Sequence, residues 1–277
     1  MTGAPITIGF IGLGSQGEPM ARRIVDAGFQ TVLWARRPEA LTSFADTAAR
    51  TASSVAELGA QCGHVGICVV DDAGTLEICD ALIPAMLPGS RIAIHSTILP
   101  ETCRQIADKA GARGITVIDA PVSGGAPAAS AGKLTVMVGA SEEALAAAWP
   151  IFASFAGLIV HLGDVGTGQM AKIINNSLMA AHVALAHHAL DAGDLLGLDR
   201  TALVELVRAS SGRSFGFEIY ARMPSPGAFA SGGKLLDKDV RLLGAILEGR
   251  SQYPPFRDLA LPFLAEIARD AANATAG

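Results

Sequence analysis

The sequence predicts an α/β protein: a doubly wound, largely parallel sheet, then a long connecting helix and an all-helical C-terminal domain. Three observations carry this expectation. An apolar run at residues 6–11 enters Gly12-Leu13-Gly14-Ser15-Gln16-Gly17, and a helical pattern closed by Gly28 follows at once. Short β-rich runs then alternate with helical ones through residue 161, the mark of βα units and a parallel sheet. After the break at 163–168 no convincing strand follows, and residues 169–196 read as one helix of about 40 Å at 1.5 Å per residue. The boundary is therefore placed at 163/164, giving domains 1–163 and 164–277.

The first strand, its glycine turn and the second strand at 31–34 stand where a dinucleotide-binding βαβ unit requires them. Gly12 turns the chain, Gly14 lets the backbone approach a pyrophosphate, and Gly17 lets the helix pack on the strand. The new helix directs unpaired N–H groups and its positive dipole end at that phosphate. Gly12, Leu13, Gly14, Ser15, Gln16 and Gly17 are accordingly candidate cofactor-binding residues of a Rossmann domain. An NAD site usually places an acid after the second strand for the ribose 2′-OH. Here Ala35-Arg36-Arg37-Pro38 follows Trp34. Two guanidinium groups suit a 2′-phosphate, so Arg36 and Arg37 point to NADP, with NAD as the other possibility. A solvated basic pair ahead of a helix opened by Pro38 is the plainer reading of the same residues.

The remaining strands are expected at 64–70, 91–94, 116–119, 134–138 and 158–161. Helices lie between them, one opened by the capping box Ser54-x-x-Glu57 and one by Pro100. Beyond the long helix, further helices are expected near 200–209, 235–249 and 256–272.

Composition bounds the function. At 277 residues the chain can build a sizeable core, and its net charge of −5 offers no basic field for nucleic acid. Aromatic residues are only 5%, too few for stacking platforms. Cys62, Cys68, Cys79 and Cys103 have neither C-x-x-C spacing nor histidines to complete a metal site, so they read as reduced thiols. No apolar run reaches a membrane span, and a cytoplasmic protein is expected.

Lys172 is the sole charged residue between Asp164 and Asp191, in a chain with five lysines against sixteen arginines. A lysine on a solvated face is the ordinary alternative, but such faces carry several charges. Gly168, Lys172 and Asn176 fall on one helix face at a spacing of four, a small residue, an amine and an amide that suit a ligand. A lysine in a partly desolvated pocket has its pKa lowered, which makes it a usable general acid for carbonyl reduction. Asn176 would fix the substrate oxygen without adding charge. The segment Asp119-Ala120-Pro121-Val122-Ser123-Gly124-Gly125 leaves the end of a candidate strand, where doubly wound sheets bind ligands. There Ser123 and the N–H groups of Gly124 and Gly125 would form an anion nest for a carboxylate, although alone Ser-Gly-Gly is an ordinary turn.

These motifs, in this order, resemble the β-hydroxyacid dehydrogenase family, which includes 3-hydroxyisobutyrate dehydrogenase and tartronate semialdehyde reductase. The segment from Phe10 to Ala21 looks like its N-terminal signature, Asp119 to Gly125 like its substrate loop, and Gly166 to Asn176 like its catalytic helix. The resemblance implies an NAD(P)-dependent dehydrogenase with Lys172 catalytic and with Ser123, Gly124, Gly125 and Asn176 on the substrate. It implies that Thr97 and Lys238 touch cofactor, and that family members assemble as homodimers or tetramers through the helical domain. Val70 and Asp71 replace a Leu-Pro pair that lies against the cofactor in the family, leaving Val70 as the contact and the acid unexplained. Ala35 replaces a usual Asn or Asp. The related 6-phosphogluconate dehydrogenases carry His-Asn in place of Asn175-Asn176 and a longer helical domain.

The expectation is therefore an NADP-dependent oxidoreductase that interconverts a short β-hydroxyacid and its semialdehyde or keto acid. Two alternatives stand beside it. An imine reductase shares the architecture but generally carries Asp or Tyr where Lys172 stands. A non-catalytic NADP-binding scaffold would have no use for that lysine.

Overall fold

A computed structural model describes residues 6–250 and 254–276. They form two compact units, one ending at Lys172 and the other beginning at Ile173. That division falls inside the long helix because the helix's first turns pack on strands of the first unit.

The first unit is built on a six-stranded parallel sheet. Its strands are β1 (Ile8–Ile11), β2 (Thr31–Trp34), β3 (Arg50–Thr51), β4 (His64–Ile67), β5 (Arg91–Ile94) and β6 (Thr116–Asp119), in the order β3-β2-β1-β4-β5-β6. The connecting helices are α1 (Gly17–Asp26), α2 (Val55–Gln61), α3 (Asp72–Leu82) and α4 (Pro100–Gly111), with a 3-10 turn at Pro38–Phe44. All four residues of β1 and of β4 are buried, as a sheet covered on both faces requires. Alternate side chains divide between two cores. Phe10 and Leu33 pack with Met20, Ile24 and Phe152 on one face, while Ile11 and Val32 pack with Leu58, Ile67 and Leu82 on the other.

Residues 134–138 and 158–161, expected as further strands of one sheet, instead join a second one. There β7 (Val122–Ser123) is antiparallel to β8 (Leu134–Val138), and β9 (Ala156–His161) runs parallel to β8. Helices α5 (Gly125–Ser130) and α6 (Glu142–Phe152) complete this part. The cause is local: Pro121, two residues past β6, has no N–H to continue a ladder, and its carbonyl accepts from Met137 N instead. The expected capping box is shifted as well. Ser54 Oγ accepts from Glu57 N at 3.1 Å, but the Glu57 carboxylate reaches back to Ser53 N at 2.7 Å.

Helix α7 (Thr167–Leu195) carries the chain into the second unit, where the described residues form helices and no strand: α8 (Arg200–Ala209), α9 (Phe215–Tyr220), α10 (Ala230–Ile246) and α11 (Pro254–Ala276). The pattern in the sequence did not mark α9, a six-residue helix too short to show a period. Val183, Leu190, Phe217, Val240 and Phe263 form this unit's core. Among the described residues no helix is long and apolar enough to cross a membrane.

Two histidines are sealed in the first unit's core. His95 Nδ1 donates to the Ala120 carbonyl at 2.8 Å, and its ring packs against Phe10, Phe152 and Phe155. Neither ring nitrogen of His64 has a hydrogen-bond partner among the described residues. Burial holds His64 down to about 3 and His95 to about 4. The unfolded chain takes up these protons near 6.5, so the histidines' stability is complete above that pH and drains as pH falls toward 4. Asp119, raised to about 6 by burial, acts in the opposite sense with a single proton. Urea unfolding should therefore show stability declining from pH 6.5 to 4.5. His64→Leu should flatten that decline; an identical slope in variant and parent would contradict this origin.

Candidate active site

In a parallel sheet every strand ends on the same edge, and ligands bind there. At the end of β1 the chain turns through Gly12, whose φ is +97°. A Cβ at Gly12 would lie 2.1 Å from the Cys68 carbonyl oxygen, and one at Gly17 would lie 2.0 Å from the Gly12 carbonyl. Around Gly14, in contrast, no heavy atom beyond its chain neighbours stands within 4 Å of the Cβ position. The turn is packed tight where it meets the protein and open where it faces outward. Ser15 is exposed beside it, and the half-buried Gln16 has an amide nitrogen with no partner among the described residues.

A cavity of about 550 Å³ opens from this turn, lined by Gly12, Leu13, Gly14, Arg36, Arg37 and Val70. It thus joins the glycine loop to both arginines, 22 and more residues away in the chain. Arg36 also reaches Glu77 Oε2 at 2.9 Å, but both side chains are about two-thirds exposed. Such a pair contributes little and would yield readily to a stronger anion. Asp71, the unexplained acid, caps α3: its Oδ1 accepts from Gly74 N at 2.9 Å. Thr97, Ser123 and Lys172 do not line this cavity.

Lys172 lies in the second turn of α7 and is only 8% exposed. The helix start is fixed by Asp119, at the end of β6. Its Oδ1 accepts from Gly166 N at 2.7 Å and its Oδ2 from Gln169 N at 2.8 Å. Burial pushes this carboxyl up to about 6, against the pull of those N–H groups toward the charged form. Gly168 serves the same docking. A Cβ there would meet the Met137 carbonyl at 2.4 Å, so its small size seats the helix on β8 rather than making room for a ligand.

Two residues after Pro121 the chain reaches Ser123, half-buried at the end of β7 opposite Thr135. Gly124 and Gly125 follow with φ of +130° and +70°, exposed at the start of α5. Thr97 is half-buried in the segment leaving β5.

In the second unit, Asn176 Nδ2 donates to Asp239 Oδ2 at 2.6 Å, and Asn175 Nδ2 donates to Asn176 Oδ1 at 3.2 Å. Lys238 Nζ stands 3.2 Å from Asp239 Oδ1, an ion pair without hydrogen-bond geometry. Asp239, the partner of Asn176, carries no motif of its own in the sequence. Its one available signal was its place beside Lys238.

Comparison with known proteins shows the family and the fold. Residues 7–163 match the family model for the NAD binding domain of 6-phosphogluconate dehydrogenase. Residues 166–272 match the model for the NAD-binding domain of NADP-dependent 3-hydroxyisobutyrate dehydrogenase. The chain is 35% identical over 265 residues to a 3-hydroxyisobutyrate dehydrogenase of Pseudomonas aeruginosa, covering 91% of this chain and 89% of that one. It is 34% identical over 276 residues to an NAD-dependent L-serine dehydrogenase of the same organism, covering 92% and 89%. Among solved structures, the 3-hydroxyisobutyrate dehydrogenase of Mycobacterium tuberculosis with L-serine superposes at a TM-score of 0.81 and 27% identity. That likeness covers 96% of this chain and 99% of the other.

Proposed function

The chain belongs to the β-hydroxyacid dehydrogenase family, and from that premise we propose an NADP-dependent oxidoreductase that interconverts a short β-hydroxyacid and its semialdehyde or keto acid. The observation that carries this reading is Lys172: a buried amine on a helix whose first turn is tied to the carboxyl end of β6. The open Gly14, the cavity beyond it and the orphaned Gln16 amide suit a dinucleotide. A bound nicotinamide would supply or accept the hydride.

The chain's own residues do the rest in this reading. Lys172 gives a proton to the substrate oxygen during reduction and takes it back during oxidation. Ser123 and the N–H groups of Gly124 and Gly125 hold the substrate carboxylate. Asn176, one turn beyond Lys172, holds the reacting oxygen through the amide hydrogen that Asp239 leaves unused. Thr97, Val70 and Lys238 border the cofactor. Relatives named for 3-hydroxyisobutyrate and for L-serine support the substrate class, because both compounds carry a hydroxyl β to a carboxylate. Since one of those relatives is named NAD-dependent, the choice of NADP rests on Arg36 and Arg37.

Four free cysteines fit a reducing cytoplasm. Ile174, Leu178 and Leu185 expose about half their surface on α7, in keeping with a homodimer or homotetramer.

Cofactor choice is directly measurable. NADPH should exceed NADH in kcat/KM, and replacing Arg36 and Arg37 by Ala should erase most of the margin. Charge-assisted bonds of about 1.5–3 kcal/mol each are sufficient for this. Equal efficiency with both cofactors in the unmodified enzyme would contradict the assignment.

The lysine is tested by Lys172→Ala, which should lower kcat by about 10²–10⁴-fold, the usual scale of general acid–base catalysis, with NADPH affinity little changed. Lys172→Arg should fail too, because a guanidinium keeps its proton near neutral pH. Near-normal turnover by a folded, NADPH-binding Lys172→Ala would remove the lysine from the mechanism.

A further inference from the structure

Gln169 is fully buried on the first turn of α7, three residues before Lys172. Both ends of its side-chain amide are engaged. Nε2 donates to the Ser96 carbonyl at 2.8 Å, and Oε1 accepts from Ile98 N at 3.1 Å. Those two backbone groups flank Thr97, in the segment that leaves β5 on the same sheet edge as the glycine turn. Ser96 extends the connection, since its Oγ accepts from Val69 N at 2.8 Å, next to Val70 in the cavity wall. On the other side, the backbone N–H of Gln169 donates to Asp119 Oδ2, below the loop that leads to Ser123.

A buried amide is a costly way to fill space. An apolar side chain of equal volume would pack there without desolvation, and the amide breaks even only when both ends are satisfied. What it adds is geometry: a two-point clamp allows one register, whereas an apolar contact allows sliding. The clamp also spans the three segments that the reaction has to align, which are the cavity wall, the 96–98 segment and the helix bearing Lys172.

We infer that Gln169 is a positioning residue for proton transfer, clamping the 96–98 segment so that the Lys172 amine is held in register with the cofactor-binding wall. The inference rests on the role proposed for Lys172 above. Misplacement by about 1 Å is enough to cost on the order of 100-fold in rate, so a small loosening of this turn would be felt in turnover before it was felt in binding.

The test is Gln169→Met, which keeps the length of the side chain and removes both hydrogen bonds. Turnover should be expressed per NADPH-binding site, counted by fluorescence titration. The expected result is a kcat about 10–100-fold lower per site, with NADPH Kd within about threefold of the parent. Should this variant not fold, Gln169→Asn takes its place. Its shorter amide cannot span both backbone groups, but it leaves room for a water to satisfy them, and the same fall is expected. A residue that only stabilises the fold would lower Tm and the number of binding sites while kcat per site stayed at the parental value. That outcome overturns the inference. Lys172→Ala in the same assay separates the two claims. If it retains turnover, the lysine reading fails. If it is inactive while a folded Gln169 variant turns over normally, only the clamp fails.

Discussion

Three stretches of backbone meet at the end of β1 so closely that only glycine fits, and the cofactor-sized cavity follows from that contact. A methyl group at Gly12 would sit 2.1 Å from the Cys68 carbonyl, and one at Gly17 would sit 2.0 Å from the Gly12 carbonyl. Backbone atoms in a close-packed interior have nowhere to yield. The strand β1, the exit of β4 and the start of α1 are thereby drawn onto one point. The same contact leaves Gly14 facing open space, just ahead of the start of α1.

The chemistry is arranged around this edge by buried polar contacts rather than by charge at the surface. Asp119 receives two N–H groups from the start of α7, and Gln169 returns two hydrogen bonds to the segment beyond β5. Lys172 inherits its place from them. The exposed Arg36–Glu77 pair contributes little to stability, yet it keeps a guanidinium beside the cavity. In the reaction proposed above, rigid placement would serve the proton-transfer group and a loosely held cation would serve recognition.

Much of this was legible in the sequence because it is local. The glycine turn, the strands at 31–34, 91–94 and 116–119, and the long helix each declare themselves within a short window. What escaped notice depends on partners far along the chain. The bonds from Asp119 span 47 and 50 residues, and those from Gln169 span 71 and 73. No period or motif encodes such pairs. Asp71 looked anomalous only because its role is to cap α3, a function that several polar residues share. Gly168 looked like part of a ligand stripe, when the adjacent Met137 carbonyl requires it to be small. The separate sheet of β7, β8 and β9 was hidden because its strands have ordinary β patterns, and only Pro121 shows that the chain leaves the main ladder.

In the proposed reaction the chain oxidises hydroxyacids held by their carboxylate at Ser123, Gly124 and Gly125. The most direct measurement compares NADPH formation from 3-hydroxyisobutyrate, L-serine and their methyl esters. Losing charge-assisted bonds of about 1.5–3 kcal/mol each should lower kcat/KM for the esters by about 100-fold or more. Esters oxidised as efficiently as the free acids would contradict the account.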